Sequence, residues 1–144
     1  MTDRTLEQIS KTMRDIDFTM LFTRTENGAL AGRPMSNNRD VEFQGDSYFF
    51  TYDSTRTVSD IESDPKVSMS LQGSAGWLGK PPIFIAIEGT AELIRDKNAF
   101  EEHWTKDLER WFEKGVDTPG MVLIKVHADR IHYWDGEEEG DIIV

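Results

Sequence analysis

The chain has no cysteine, which excludes a disulfide scaffold, a cysteine-ligated zinc or iron–sulfur centre, and a thiol nucleophile. Long apolar runs are missing as well. The longest uncharged stretch, Val67 to Gly79, is short and broken by Gln72, Gly73, Ser74 and Gly76, so no segment is expected to span a bilayer. The start, Met1-Thr2-Asp3-Arg4, lacks the apolar core of a secretory signal, and a cytoplasmic location is the expectation. Basic residues are scarce: 16 Lys and Arg stand against 27 Asp and Glu, a net charge of −11 that opposes non-specific binding of nucleic acid. The phosphate loop G-x-x-x-x-G-K-[ST], the zinc motif H-E-x-x-H and the nucleophile elbow G-x-S-x-G are all missing. Gly73, Gly76 and Gly79 follow G-x-x-G-x-x-G, which is not the dinucleotide fingerprint.

What is present is a core-forming composition in one domain's length, with residues 1–144 read as a single domain: 38% apolar residues and 15 aromatics in 144 residues. Leu6, Ile9, Met13 and Ile16 form one stripe of an amphipathic helix, with Asp3 or Thr5 as its cap. Phe18 to Thr23 reads as a strand, Glu26-Asn27-Gly28 as a hairpin turn, and Ala29 to Met35 as the returning strand. Ser47-Tyr48-Phe49-Phe50-Thr51-Tyr52 is a compact aromatic strand. The next segment enters a short helix that presents Thr57, Val58 and Ile61 inward and ends before Pro65. Val67 to Leu71 alternates as a half-buried strand, residues 73–82 read as a loop, and Ile83 to Ile94 as a long strand with a bulge or a sharp bend at Gly89.

Asp96 to Lys114 has helical spacing, placing Phe100, Trp104, Leu108, Trp111 and Phe112 on one face. Met121–Val126 and Arg130–Trp134 read as two strands about a turn at Ala128-Asp129, straddled by His127 and His132. His103 is expected on the wet side of its helix, and the acidic stretch Asp135 to Asp141 as a solvated tail. No calcium loop frame accompanies the acidic stretch, and His127 and His132 have no nearby third ligand for a metal site. The sum is a mainly β (α+β) fold, with six or seven antiparallel strands closing into a small barrel with peripheral helices.

Two short segments carry candidate chemistry. Arg33-Pro34-Met35 places a guanidinium on a strand, and Ser54-Thr55-Arg56-Thr57 opens a helix just after Phe50-Thr51. Hydroxyls, free helix N-terminal amides and an arginine together suit a phosphate monoester. The global negative charge does not prevent this, because charges beyond about 8 Å are screened. The alternative is structural: Ser54 caps the helix while Arg33 and Arg56 pair with surface carboxylates.

Taken in order, these segments resemble the FMN-binding split-barrel superfamily of the pyridoxamine 5′-phosphate oxidases, and within it the short general stress proteins. The resemblance rests on the N-terminal helix, Phe18 to Thr25, Arg33-Pro34-Met35, Tyr48-Phe49-Phe50-Thr51, Asp53 to Val58, Ile61 to Val67, and Arg130-Ile131-His132-Tyr133-Trp134. It implies a split antiparallel barrel that binds FMN, with FAD also possible, at the interface of a homodimer. Arg33, Pro34 and Met35 would then run along the flavin, Phe50 and Thr51 would touch the ribityl and phosphate region, and Ser54, Arg56 and Thr57 would lie at the phosphate. Arg56 stands where the family usually has lysine, a change that keeps the charge and adds a bidentate fork. Trp134 matches the aromatic that a partner subunit brings to the flavin, or else plugs the barrel end, and Trp77 approaches the ring or packs on its own barrel.

Two departures narrow the expectation. The oxidases follow this tryptophan with arginine and histidine that grip the substrate's phosphate, whereas Asp135-Gly136-Glu137-Glu138-Glu139 follows it here, so vitamin B6 oxidation is disfavoured. A deazaflavin site would call for a more basic pocket. Three functions remain: a flavin-dependent oxidoreductase acting on an unidentified small molecule, a flavin carrier or sensor without turnover, and a cofactor-free interaction module. No residue stands out as an essential acid or base.

Overall fold

A computed structural model of the chain describes residues 4–37 and 43–144, except for the side chain of Trp77. The two tentative readings of Trp77 and the capping role offered for Asp3 therefore lie outside the described residues. Among those residues the order is α1 (Leu6–Met13), β1 (Phe18–Arg24), β2 (Leu30–Ser36), β3 (Asp46–Tyr52), α2 (Arg56–Ser63), β4 (Lys66–Gln72), β5 (Phe84–Ile94), α3 (Lys97–His103), β6 (Met121–Asp135) and β7 (Glu138–Ile143). Thr5 caps α1 in a reciprocal box: its side chain accepts from the Gln8 amide, and the Gln8 side chain accepts from the Thr5 amide.

One antiparallel sheet runs β2-β1-β4-β5-β6-β3, with β7 added to β6. The sheet does not close on itself: β2 and β3 end the path with no ladder between them, which makes the barrel split. Alternation along β1, β4 and β5 turns Leu21, Met69, Ile85 and Ile87 inward, against Ile9 and Met13 of α1 and Ile131 of β6. A second cluster joins Phe100, Phe112, Met121 and Leu123, with Phe50, Trp104 and Leu108 packed against it.

Three expectations are corrected. First, the two C-terminal strands are one 15-residue strand, β6, and the apparent turn at Ala128-Asp129 is a bulge. Glu88 faces Arg130 while Gly89 faces Ala128, which leaves Asp129 as the extra residue. Gly89 serves the close approach here, since a Cβ on it would lie 2.5 Å from the His127 carbonyl oxygen. Two consecutive exposed residues, Asp129 and Arg130, mimic a turn in sequence but mark a slipped register in space.

Second, the acidic tail is a strand. β7 returns along β6 from Asp135↔Glu138 to Arg130↔Ile143 and continues the edge that β3 covers from residue 121 to 127. Its carboxylates find cations: Arg4 pairs with Asp135 and lies 3.5 Å from Glu138, and His132 bonds Asp141 and Glu139.

Third, the long helix after Asp96 stops at His103, and 3₁₀ turns at Lys106–Arg110 and Gly115–Asp117 replace its second half. In a continuous helix Trp104 and Phe112 would be about 12 Å apart along the axis. Instead both rings pack on Phe50, at 5.3 and 6.4 Å, and sit 6.1 Å from each other. Burying three aromatics in one cluster outweighs the regular backbone that local propensity favours. Phe100, Trp104, Leu108 and Phe112 join this packing, while Trp111 stays exposed.

Candidate functional site at the open seam of the barrel

The gap between β2 and β3 is the site's foundation. A cavity of about 420 Å³ opens there, of a size common for small-molecule sites. Pro34 and Met35 come from the end of β2, and Phe50, Thr51 and Tyr52 from β3. The far wall is the irregular segment after α3, through Thr105, Asp107, Leu108, Trp111 and Phe112. Tyr48 also lines it, backed by His103, whose ring stacks on the tyrosine at 3.7 Å. His103 is thus held against β3 rather than on a wet helix face, a further correction. Burial pushes the Tyr48 hydroxyl above its usual pKa, so it stays a neutral donor.

Of the residues singled out in the sequence, Pro34, Met35, Phe50 and Thr51 come together on this cavity. The others lie elsewhere. Arg33 donates to Thr23 Oγ1 at 2.7 Å and to the Leu21 carbonyl at 3.3 Å, and it lies 3.6 Å from Asp60 of α2. Asp60 is buried and also accepts from Thr23 at 2.8 Å. Arg33 therefore pairs with an interior carboxylate, not a surface one. Burial lowers its pKa, Asp60 opposes that, and the charge of Arg56 lowers it further.

Arg56, the first residue of α2, is exposed and has no ion pair or hydrogen bond among the described residues. It stands close enough to Arg33 for the two charges to repel. Thr55, not Ser54, caps α2, accepting from the Val58 amide, so Ser54 is left exposed before the helix. The reading of Ser54 as the cap is corrected accordingly. Thr57 is buried with Val58 and Ile61, as the helical spacing required.

Trp134 does not plug the barrel end. It stands on the outer face of the sheet, in an open groove of about 500 Å³ shared with Phe18, Met20 and Phe84. Phe18, Met20, Phe84 and Trp134 are each between 37% and 54% exposed, a grouping of large apolar side chains that a monomer rarely shows to water. Phe18 lines both this groove and the seam cavity.

Sequence reasoning missed the contribution of Tyr52, Thr105 and Asp107. The signal for Tyr52 was its place at the end of the aromatic strand. None existed for Thr105 and Asp107, because their position depends on the helix break at Trp104.

The profile of the family described as pyridoxamine 5′-phosphate oxidase like matches residues 4–144. General stress protein 26 of Bacillus subtilis is 25% identical over 92 residues, which cover 64% of each chain. This chain spans less than two thirds of both curated relatives matched, at 65% and 64% of their lengths. The fold is that of the general stress protein 26 of Bacillus anthracis, with a TM-score of 0.75 and 23% identity over 96% of this chain and 98% of that one. A heme binding protein from Mycobacterium smegmatis shares the fold at a TM-score of 0.78 and 14% identity, over 99% of this chain and 60% of that one. With the split seven-stranded barrel and a profile match that runs from Arg4 to Val144, the chain belongs to the pyridoxamine 5′-phosphate oxidase-like family.

Proposed function

We propose that the seam cavity is a flavin site and that the protein is an FMN-dependent oxidoreductase of general-stress type, acting on a small molecule as a homodimer in the cytoplasm. One observation carries the reading: two strands distant in sequence bring Pro34, Met35, Phe50 and Thr51 onto a single aromatic-walled cavity at the unpaired seam. Apolar walls suit a tricyclic ring, and the hydroxyls of Tyr48, Thr51 and Tyr52 suit its polar edge. From Tyr52 the chain makes one turn, with the Thr55 amide bonded to the Tyr52 carbonyl, and reaches Arg56. The unpartnered guanidinium there, with Ser54 beside it, would hold a phosphate at the end of the ribityl chain. FAD is compatible with the same anchor.

When bound, the flavin supplies the electron transfer, and the protein supplies orientation and exclusion of water. Phe50 and Phe112 form a dry wall, while Tyr48 holds its proton at the cavity. Among the described residues no histidine lines the cavity, which favours flavin over a haem held by imidazole.

The outer face supports the homodimer reading. A second copy covering Phe18, Met20, Phe84 and Trp134 would bury exposed apolar area, and through Phe18 it would reach the rim of the cavity. The absorption spectrum of freshly isolated protein, followed by FMN titration, tests the cofactor: colourless protein that takes up no flavin defeats the proposal. Gel filtration giving a monomer with full FMN affinity defeats the shared site. Anaerobic addition of NADH or NADPH separates an oxidoreductase, whose flavin bleaches, from a carrier, whose flavin does not. Cell fractionation checks the location.

A further inference from the structure

The seam cavity is polar in only one electrical sense. Asp107 stands in its wall, exposed and with no ion pair or hydrogen bond among the described residues. No lysine or arginine lines the cavity among those residues. Lys106, next to Asp107 in sequence, is exposed and does not line the cavity, and Arg110 is turned onto the Trp111 ring, its guanidinium carbon 5.6 Å from the centroid. The remaining surface is largely ring faces and edges from Phe50, Tyr52, Trp111 and Phe112. Ring faces attract cations, and an unpaired carboxylate on the wall repels anions.

We infer that this cavity selects its guest by charge: it takes a planar aromatic that is neutral or cationic on the side facing residues 105–111 and rejects an aromatic carboxylate. The inference deepens the flavin reading and rests on it for the identity of the site; it names the class of ring the cavity admits, planar aromatics without a negative charge. It is compatible with a phosphate at Arg56, because Arg56 does not line the cavity and belongs to the turn beyond Tyr52. Asp107 acts here as a specificity residue.

A matched series on one ring system isolates the charge. 2-Naphthylmethylamine, 2-naphthalenemethanol and 2-naphthoate are titrated at pH 7.5 into the flavin-free full chain, with binding followed by ligand-observed NMR. The amine is expected to bind at least fivefold tighter than the naphthoate, with the alcohol between them. Asp107→Asn should bring amine and naphthoate within twofold of each other. Glu26→Gln, which removes one negative charge in the β1–β2 turn away from the cavity lining, should leave the wild-type ratio in place. Equal binding of naphthoate and amine by the wild type overturns the inference. So does an unchanged ratio in Asp107→Asn, an equal loss of the ratio in Glu26→Gln, or no binding of any of the three. FMN titration of the same sample is read separately. If FMN fails to bind while the charge series holds, the flavin reading falls and the selection stands; FMN binding with a flat series gives the reverse.

Discussion

The pocket of charge beneath α2 and the seam between β2 and β3 treat polarity in opposite ways. Under α2, Arg33, Thr23 and Asp60 satisfy one another at 2.7 to 3.6 Å, and Asp60 is closed to water. At the seam, rings meet edge to face around a cavity of about 420 Å³, and Asp107 has no partner among the described residues. A region whose donors and acceptors are matched holds an arrangement in place. A region that keeps volume and an unmatched charge is ready for a ligand. Arg33 and Arg56 show the same contrast at the level of one side-chain type: the first is consumed by the interior, and the second remains available at the surface.

The largest expected effect falls on the seam's own wall. Phe112 is 5% exposed and touches Phe50, Tyr52 and Trp104, so Phe112→Ala should cost about 4 kcal/mol in urea unfolding and abolish flavin uptake. A loss below about 1 kcal/mol would mean that the wall is not packed, and the contrast with the α2 side would vanish.

The next effect belongs to the charged pocket. Asp60→Ala leaves the Arg33 guanidinium partly buried beside Thr23 with no counter-charge, and stability should fall by about 3 kcal/mol. The double change Asp60→Leu with Arg33→Met should recover most of that loss, since an apolar pair removes both charges together. Failure of the pair to recover would show that the network does more than satisfy itself.

Arg56→Ala sharpens the comparison from the other side. An exposed residue without a partner should change unfolding free energy by less than about 0.5 kcal/mol. FMN affinity should weaken by about 2 kcal/mol, the scale of a hydrogen bond to a charged group. Unchanged affinity would remove the phosphate anchor while leaving the cavity in place.

The smallest effect concerns β7. His132 is held between Glu139 and Asp141, which raise its pKa above the usual histidine value, the Glu139 bond contributing most. Arg130, 4.0 Å from Asp141 and bonded to Glu88, is the other charge facing this cluster, and the Trp134 ring lies 4.3 Å from the imidazole. The folded state therefore binds a proton more tightly than the unfolded one. That contribution is complete below about pH 6.5, the unfolded value, and disappears as pH rises through the higher folded value. Thermal melts from pH 6 to 9 should show a decline in Tm that His132→Gln flattens, with Trp134 fluorescence following the same titration. A wild-type decline no steeper than that of the variant would show that the clamp contributes nothing.

Much of this architecture could be read from local pattern. The capped stripe of α1, the Asn27-Gly28 hairpin, the alternation of β4 and the bulge at Gly89 each depend on side-chain period or on one residue's steric freedom, and each is present. The misreadings share a different origin. Helical spacing from Phe100 to Phe112 was real but yielded to the packing of Phe100, Trp104 and Phe112 on Phe50, a residue far from them in sequence. The acidic stretch looked solvated until Arg4 and His132, from the other end of the chain and from the neighbouring strand, supplied its counter-charges.

The same division holds at the site. Arg33-Pro34-Met35 and Phe50-Thr51 were recognisable because strand and turn chemistry is local, and the family resemblance resides in such short runs. Which of them share a cavity was decided by the absence of a ladder between β2 and β3 among the described residues, and the place of Asp107 by where the helix breaks. Period, caps and turn residues act over a few neighbours and are written in the chain itself. The partner of a charge and the volume of a cavity arise only when distant segments meet, because both depend on what fills the space opposite a side chain.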